Sequence, residues 1–141
     1  MKRTLRVTVM RLLIASAVLS AGACATTSGL ANRNNARIAT LQPGMTPEQV
    51  IAHIGPSTFK GEGLDAIMGI AAIPNPFKTE MYPAGDDTFT LLYFYSQRTV
   101  ADGNITDEEL MPVVFKNGLL DGWGWSYWEG VAAQYSIRIR S

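Results

Sequence analysis

Side chains able to carry out chemistry are scarce in this chain. Among its 141 residues there is one thiol, Cys24, and one imidazole, His53. A zinc site needs several thiolate, imidazole or carboxylate ligands held together, and a nucleophile needs a base beside it. His53 lies three residues after Val50 and next to Ile54, at the margin of an apolar helical face. There it reads as a partly exposed or internally satisfied helix residue rather than a general base. The acidic run Asp107-Glu108-Glu109 would attract a cation, yet it lacks the alternating ligand spacing of a Ca²⁺ loop. Asp86-Asp87 reads as a solvated turn ahead of a strand. Gly61-Glu62-Gly63 lacks the Lys and the helix start of a phosphate-binding loop. The inventory predicts no catalytic residue, no metal, no cofactor and therefore no enzyme.

Cys24 has a context of its own. Lys2, Arg3, Arg6 and Arg11 precede an uncharged apolar run from Leu12 to Leu19, and Ser20, Ala21, Gly22 and Ala23 stand immediately before the thiol. A short basic region, a short apolar core and small residues at the cut mark a secretory signal. The run is too short to span a bilayer, which takes roughly 20 apolar residues. A cysteine directly after the small-residue box resembles the bacterial lipobox, with Ala21 where Leu is commonest. In a lipobox the thiol is acylated, for example with palmitate, and cleavage makes the cysteine the new N-terminus. The other reading is an ordinary signal peptide cut after Ala23 that leaves a free thiol; the lipobox reading is favoured. One acyl chain binds a membrane only marginally, whereas two or more anchor stably. Ala25 follows the cysteine, where Asp tends to retain enterobacterial lipoproteins at the inner membrane. By that resemblance the expected address is the periplasmic face of the outer membrane, anchored through Cys24.

Removing residues 1–23 leaves 118 residues, enough for one domain. The leader holds four of the 12 basic residues and none of the 12 acidic ones, so the remainder carries eight against 12, net −4. That balance argues against nucleic acid, whose affinity depends on basic surface, and against polybasic adhesion to a membrane. With its single cysteine at the lipidation position, the chain forms no internal disulfide and depends on its hydrophobic core.

Aromatic residues are the other candidates for function. In Gly122-Trp123-Gly124-Trp125-Ser126-Tyr127-Trp128, a strand would place Trp123, Trp125 and Tyr127 on one face and Gly122, Gly124 and Ser126 on the other. Such a row is either a core wall beneath the helices or a surface platform for a peptide, glycan or partner protein, since Trp and Tyr dominate binding hot spots. Trp128 would point away from the other three and be the more exposed.

The elements that must position these residues follow from local signals. Residues 24–35 are small and polar without a hydrophobic period and read as a lipidated flexible tether, so the folded domain is expected over 36–141, with Ile38 and Leu41 its first buried residues. Thr46 suits an N-cap, Pro47 the first helical position, and Gln49 completes a capping box. Met45 and Val50 are spaced as a hydrophobic staple, and Gly55-Pro56 stops the helix, which is predicted over 46–54. Thr88 to Gln97 alternates as a strand, with Phe89, Leu91, Tyr93 and Tyr95 on one face and Leu92 and Phe94 on the other. Met111–Lys116, Asn117-Gly118 and Leu119–Trp128 predict a hairpin with a type I′ turn, Pro112 marking a strand start or an edge. Arg98 to Leu110 reads as a polar loop in which Thr106 could cap a brief helical turn. Tyr135 to Arg140 alternates as a last edge strand, guarded by Arg138 and Arg140. Gly61 to Phe77 permits a short amphipathic helix or an apolar flap.

The run Leu41-Gln42-Pro43-Gly44-Met45-Thr46-Pro47-Glu48-Gln49-Val50, followed by Ile54-Gly55-Pro56, resembles the SmpA/OmlA, or BamE-like, bacterial outer-membrane lipoproteins. The aromatic strand with Tyr93, Phe94 and Tyr95 and the later Val114-Phe115-Lys116-Asn117-Gly118-Leu119 are similar as well. The resemblance spans Ile38 to Trp128, apart from Gly61–Phe77. It implies an α+β fold, with short N-terminal helices packed on a three- to four-stranded antiparallel sheet. It also implies a non-catalytic, protein-binding role supporting envelope or outer-membrane protein assembly and integrity, with envelope proteins as partners. The alternative is a ligand- or enzyme-inhibitor-type binding module that uses the aromatic sheet face through Trp123, Trp125, Tyr127 and Trp128.

Overall fold

The alternation in residues 88–97 sets the architecture. In the computed structural model, which describes residues 27–55, 58–59, 72–99 and 104–140, strand β4 (Asp87–Tyr95) has both faces covered over most of its length. Phe89, Leu91, Tyr93 and Tyr95 enter one apolar cluster, while Leu92 and Phe94 enter another on the opposite face. Beside β4 lie β3 (Lys78–Ala84) and β5 (Leu110–Lys116), with β6 (Leu119–Trp123) beyond β5. The four strands form an antiparallel sheet in the order β3-β4-β5-β6. Asn117 and Gly118 join β5 to β6 with φ of 52° and 82°, the positive pair that a type I′ turn requires. The protein is α+β, as expected.

Pro112 is buried in the interior strand β5, not at a sheet edge. Its carbonyl accepts from Gly124 N–H at 2.8 Å, on the β6 side and just past the end of β6. A strand residue's N–H and C=O point the same way, so the donor that proline lacks would have faced a position where the ladder has already ended.

Helix α2 (Pro47–Ile54) forms where predicted. Gln49 N–H donates to Thr46 Oγ1 at 3.4 Å and Thr46 N–H donates to Gln49 Oε1 at 2.9 Å, closing the capping box. The preceding loop is stitched to the outer edge of β6 by Gly44 N–H to Leu120 O (2.9 Å) and Leu120 N–H to Met45 O (2.8 Å). Val50 and Ile54 are thereby laid on Leu92, Phe94, Val113 and Phe115.

Three expectations are corrected. Residues 27–35 are not a tether: helix α1 runs from Thr27 to Ile38. Leu30, Ala31, Asn34 and Ile38 are buried along one side of it. This polar helix is held by tertiary contacts, because Asn34 Nδ2 donates to Asn75 Oδ1 (3.1 Å) and to Tyr95 O (2.9 Å), and Asn75 Nδ2 returns a bond to Asn34 Oδ1 (3.1 Å). Asn35 Nδ2 donates to Ser96 O at 2.8 Å, so α1 closes the end of the sheet at which β4 stops. Ile38 and Leu41 are buried as predicted.

The predicted strand 119–128 ends at Trp123, and helix α3 (Trp125–Gln134) begins after Gly124. Gly124 makes that break at φ 92°, a conformation side chains resist. Trp125, Trp128, Val131, Ala132 and Tyr135 then meet the β4 cluster at helical spacing. The tail after Tyr135 is not a strand; it turns at Ser136 (φ 55°) and continues without regular structure, with Ile137 and Ile139 packed on the same cluster. The edge on this side is β3, where Pro83 helps to block further pairing. The brief turn predicted after Thr106 is a 3₁₀ turn, Asp107–Glu109. Buried Glu109 accepts from Thr99 N–H (2.6 Å) and Thr106 N–H (3.2 Å), fastening the loop. Of the segment Gly61–Phe77, residues 61–71 lie outside the described residues. Ile73–Pro74 forms strand β2, paired antiparallel with β1 (Thr58–Phe59), and Ile73 is buried.

Candidate functional site

The residues singled out by sequence do not share a surface. Cys24 lies outside the described residues. Trp123, at the end of β6, packs on the α2 side of the sheet. Trp125 is half-buried on the other side, and its indole N–H donates to Leu110 O at 2.7 Å, beyond the reach of β6. Tyr127 is exposed and donates to Asp121 Oδ2 at 2.7 Å, with burial and that carboxylate pushing its hydroxyl up to about 12. Trp128, expected to be the exposed ring, is 0% exposed and lies 5.0 Å from Tyr82, ring centre to ring centre. The period-two reading failed because the chain turns from strand to helix at Gly124, which sends alternate aromatics to different layers. His53 is satisfied within the fold, its Nε2 2.8 Å from Thr40 Oγ1. Asp87 opens β4 and pairs with Lys116 at 3.0 Å. Among the described residues no group of three or more histidine, cysteine or carboxylate side chains could hold a metal ion.

What the fold does assemble is a polar network under the edge strand β3. Residues 78, 80 and 82 alternate onto the α3 side of the sheet, where Glu80 Oε2 accepts from Tyr82 Oη (2.6 Å) and Tyr93 Oη (2.8 Å). Lys78 Nζ bridges Glu80 (3.2 Å) and Asp107 (2.7 Å) and lies 4.5 Å from the Tyr93 ring centre. Burial opposes ionisation of Glu80, but the hydrogen bonds from Tyr82, Tyr93 and Lys78 outweigh it and hold the carboxyl below the usual range. The same burial, with Glu80 as acceptor, raises the Tyr93 hydroxyl well above its ordinary value, so it remains a donor. Sequence reasoning saw the alternation on β4 but not on β3, whose Lys-Thr-Glu-Met-Tyr-Pro run looks too polar for a wall of the core.

Among the described residues, two clefts lie beside α3. One, of about 560 Å³, is lined by Lys116, Asp121, Tyr127, Gln134 and Tyr135 among others. Its charged groups are already matched, since Lys116 Nζ sits 3.0 Å from Asp87 and 2.8 Å from Tyr135 Oη. The other, of about 330 Å³, is bounded by Asp107, Glu108, Trp125, Glu129, Ile139 and Arg140 and has mostly apolar walls. Here Asp107 is paired with Lys78, and the Arg140 guanidinium lies 5.5 Å from the Tyr82 ring centre. Neither the Glu108 nor the Glu129 carboxylate has a hydrogen-bond or ion-pair partner among the described residues. The smaller cleft is therefore the one with unused recognition capacity.

Residues 28–129 match the family described as a protein of unknown function, DUF3192. The chain belongs to the DUF3192 family. The matched span runs from the start of α1 into α3, so it takes in the four-stranded sheet, Trp125 and the two unpaired carboxylates at Glu108 and Glu129. No curated protein and no solved structure matches the chain. Among the described residues no helix is long and apolar enough to cross a membrane.

Proposed function

We propose that this DUF3192 protein is a non-catalytic lipoprotein of the bacterial outer membrane. It is held on the periplasmic face by acyl chains on Cys24, and it binds other envelope proteins in support of envelope or outer-membrane protein assembly and integrity. The observation that carries this reading is the order of the leader: basic residues, apolar run, small residues, Cys24. The resemblance of residues 41–56 to SmpA/OmlA lipoproteins supports the protein-binding half, and the α+β fold is of the kind that resemblance implies. Helix α1 adds a geometric consequence. It starts at Thr27, three residues after Cys24, so an anchored domain stands close to the bilayer instead of ranging on a long string.

The second reading, a ligand or enzyme-inhibitor module on an aromatic sheet face, loses its surface. Trp128 is in the core, Trp123 and Trp125 divide between two layers, and Tyr127 alone of the four is exposed. The test is fractionation combined with labelled-palmitate incorporation, and cross-linking pulldown from gently solubilised membranes. The Cys24→Ala variant is expected to fold, to take up no label and to leave the membrane fraction. A Cys24→Ala protein that fractionates like the wild type overturns the anchor, and a pulldown that recovers no envelope protein overturns the binding role.

A further inference from the structure

We infer that the smaller cleft beside α3 receives an arginine side chain from the partner protein. This inference rests on the protein-binding reading but not on the lipid anchor.

The cleft and its indole wall carry the argument, with the carboxylates selecting among occupants. At about 330 Å³ it lies at the low end of ligand pockets, roughly 300–1,000 Å³, a size suited to one long side chain. Its walls are mostly apolar, with Trp125 and Ile139 contributing, which suits the methylene stem of a long basic residue. Trp125 and Glu129 are one helical turn apart on α3 and present indole and carboxylate side by side. Glu108 comes from the 3₁₀ turn across the opening.

Charge complementarity fixes the sign of the occupant. Counting the lining and the groups directly bonded to it, Asp107, Glu108 and Glu129 stand against Lys78 and Arg140, an excess of one negative charge. Lys78 is held by its two carboxylates and the Arg140 guanidinium lies over the Tyr82 ring, whereas the Glu108 and Glu129 carboxylates have no partner among the described residues. A planar guanidinium can stack on an indole while donating to carboxylates at its rim, which an ammonium cannot do as well.

The test uses the full-length protein in detergent micelles. The probes are the peptide acetyl-Gly-Gly-Arg-Gly-Gly-amide and its uncharged counterpart with citrulline in place of arginine. Binding is followed by the NMR shift of the Trp125 indole N–H. The arginine peptide is expected to saturate that shift, with the citrulline peptide at least tenfold weaker. The exposed pair Glu108→Gln plus Glu129→Gln should weaken arginine binding at least fivefold, while Glu48→Gln on α2 leaves it unchanged. Equal binding of the two peptides, indifference to the double substitution or no saturable shift overturns the inference. The two proposals fail separately. A pulldown that recovers the same partners with the double variant sinks the cleft and leaves the envelope role standing. No partner in the pulldown, with the arginine peptide still bound, sinks the role and not the cleft's chemistry.

Discussion

The two faces of the sheet solve the same problem with different materials. On the α2 side the buried residues are Ile38, Leu41, Val50, Ile54, Leu92, Phe94, Val113, Phe115 and Leu120, with no polar group among them. On the α3 side Phe89, Leu91, Leu110 and Val114 are joined by Tyr82, Tyr93, Tyr95 and Trp128, with the Asn34–Asn75 pair at one end and the Lys78–Glu80 network beneath the edge strand. A wall of aliphatic groups and phenyl rings has only to exclude water and fit by volume. A wall of phenols and amides must also find a partner for each polar end, and those partners lead outward to charged groups at the surface. Both clefts beside α3 open where that happens. The α2 face holds the domain together, and the α3 face also shapes its exterior.

The comparison breaks first at Trp128. Trp128→Ala should cost about 3–5 kcal/mol, and Phe115→Ala on the α2 side should fall in the same range, because both empty a fully buried ring site. The two faces then separate on a gentler change. Trp128 Nε1 is buried with no hydrogen-bond partner among the described residues, so Trp128→Phe removes that donor along with ring volume. It should lose well under half of what the Ala variant loses, as read from urea midpoints. A Phe variant as unstable as the Ala variant would show that the indole N–H is worth keeping.

Next in size is Asn34→Leu. The side chain is nearly isosteric, but the Asn75 side chain loses both of its bonds to Asn34 inside the core and the Asn34 bond to Tyr95 O is gone, at about 1–3 kcal/mol for the buried amide left unpaired. The matching change on the α2 side, Ile38→Val, four residues along the same helix, should cost about 0.5–1.5 kcal/mol. Hydrogen–deuterium exchange sharpens the contrast. Asn34→Leu is expected to loosen α1 and the end of β4 together, and protection unchanged in β4 would show that α1 docks without the amide pair.

The same division explains what could be read from the chain. Helix α2 was legible because cap, staple, apolar face and stop all lie within a dozen residues and agree. Strand β4 was legible because both of its faces are apolar in strict alternation. Helix α1 was not: its inward residue Asn34 resembles linker composition, and the reason it is buried sits at Asn75, 41 positions away. Helix α3 was hidden because a seven-residue window over 122–128 fits period two, and the helical period emerges only when Val131, Ala132 and Tyr135 are included. The smaller cleft draws on residues 107–108, 125–129 and 139–140, three segments whose meeting no local spacing encodes. Trp125 was singled out for the wrong geometry, and the acidic run 107–109 was noticed without the indole that gives it a use.

The smallest effect separates the faces by pH. The Glu80 carboxyl titrates below its ordinary range in the folded protein, burial being outweighed by the hydrogen bonds from Tyr82, Tyr93 and Lys78. A depressed folded value means that the native state binds fewer protons than the unfolded chain between the two titrations, so stability rises with pH there. Glu80's contribution is therefore complete above the unfolded value, near pH 4.3, and is lost as pH falls through the folded one. Glu80→Gln keeps an oxygen that both tyrosines can reach, in the place of Oε2, but sets an amide donor against Lys78. Its cost at pH 7 should be about 1 kcal/mol, modest because the group is partly screened by solvent. That gap should narrow as urea midpoints are taken from pH 5 toward pH 3, where wild-type Glu80 also becomes neutral. Val50→Ala, in the wholly apolar α2 layer, should show an offset that does not change over the same range. If the Glu80→Gln gap is equally flat, the network is held by shape and not by charge, and the two faces differ less than their residues imply.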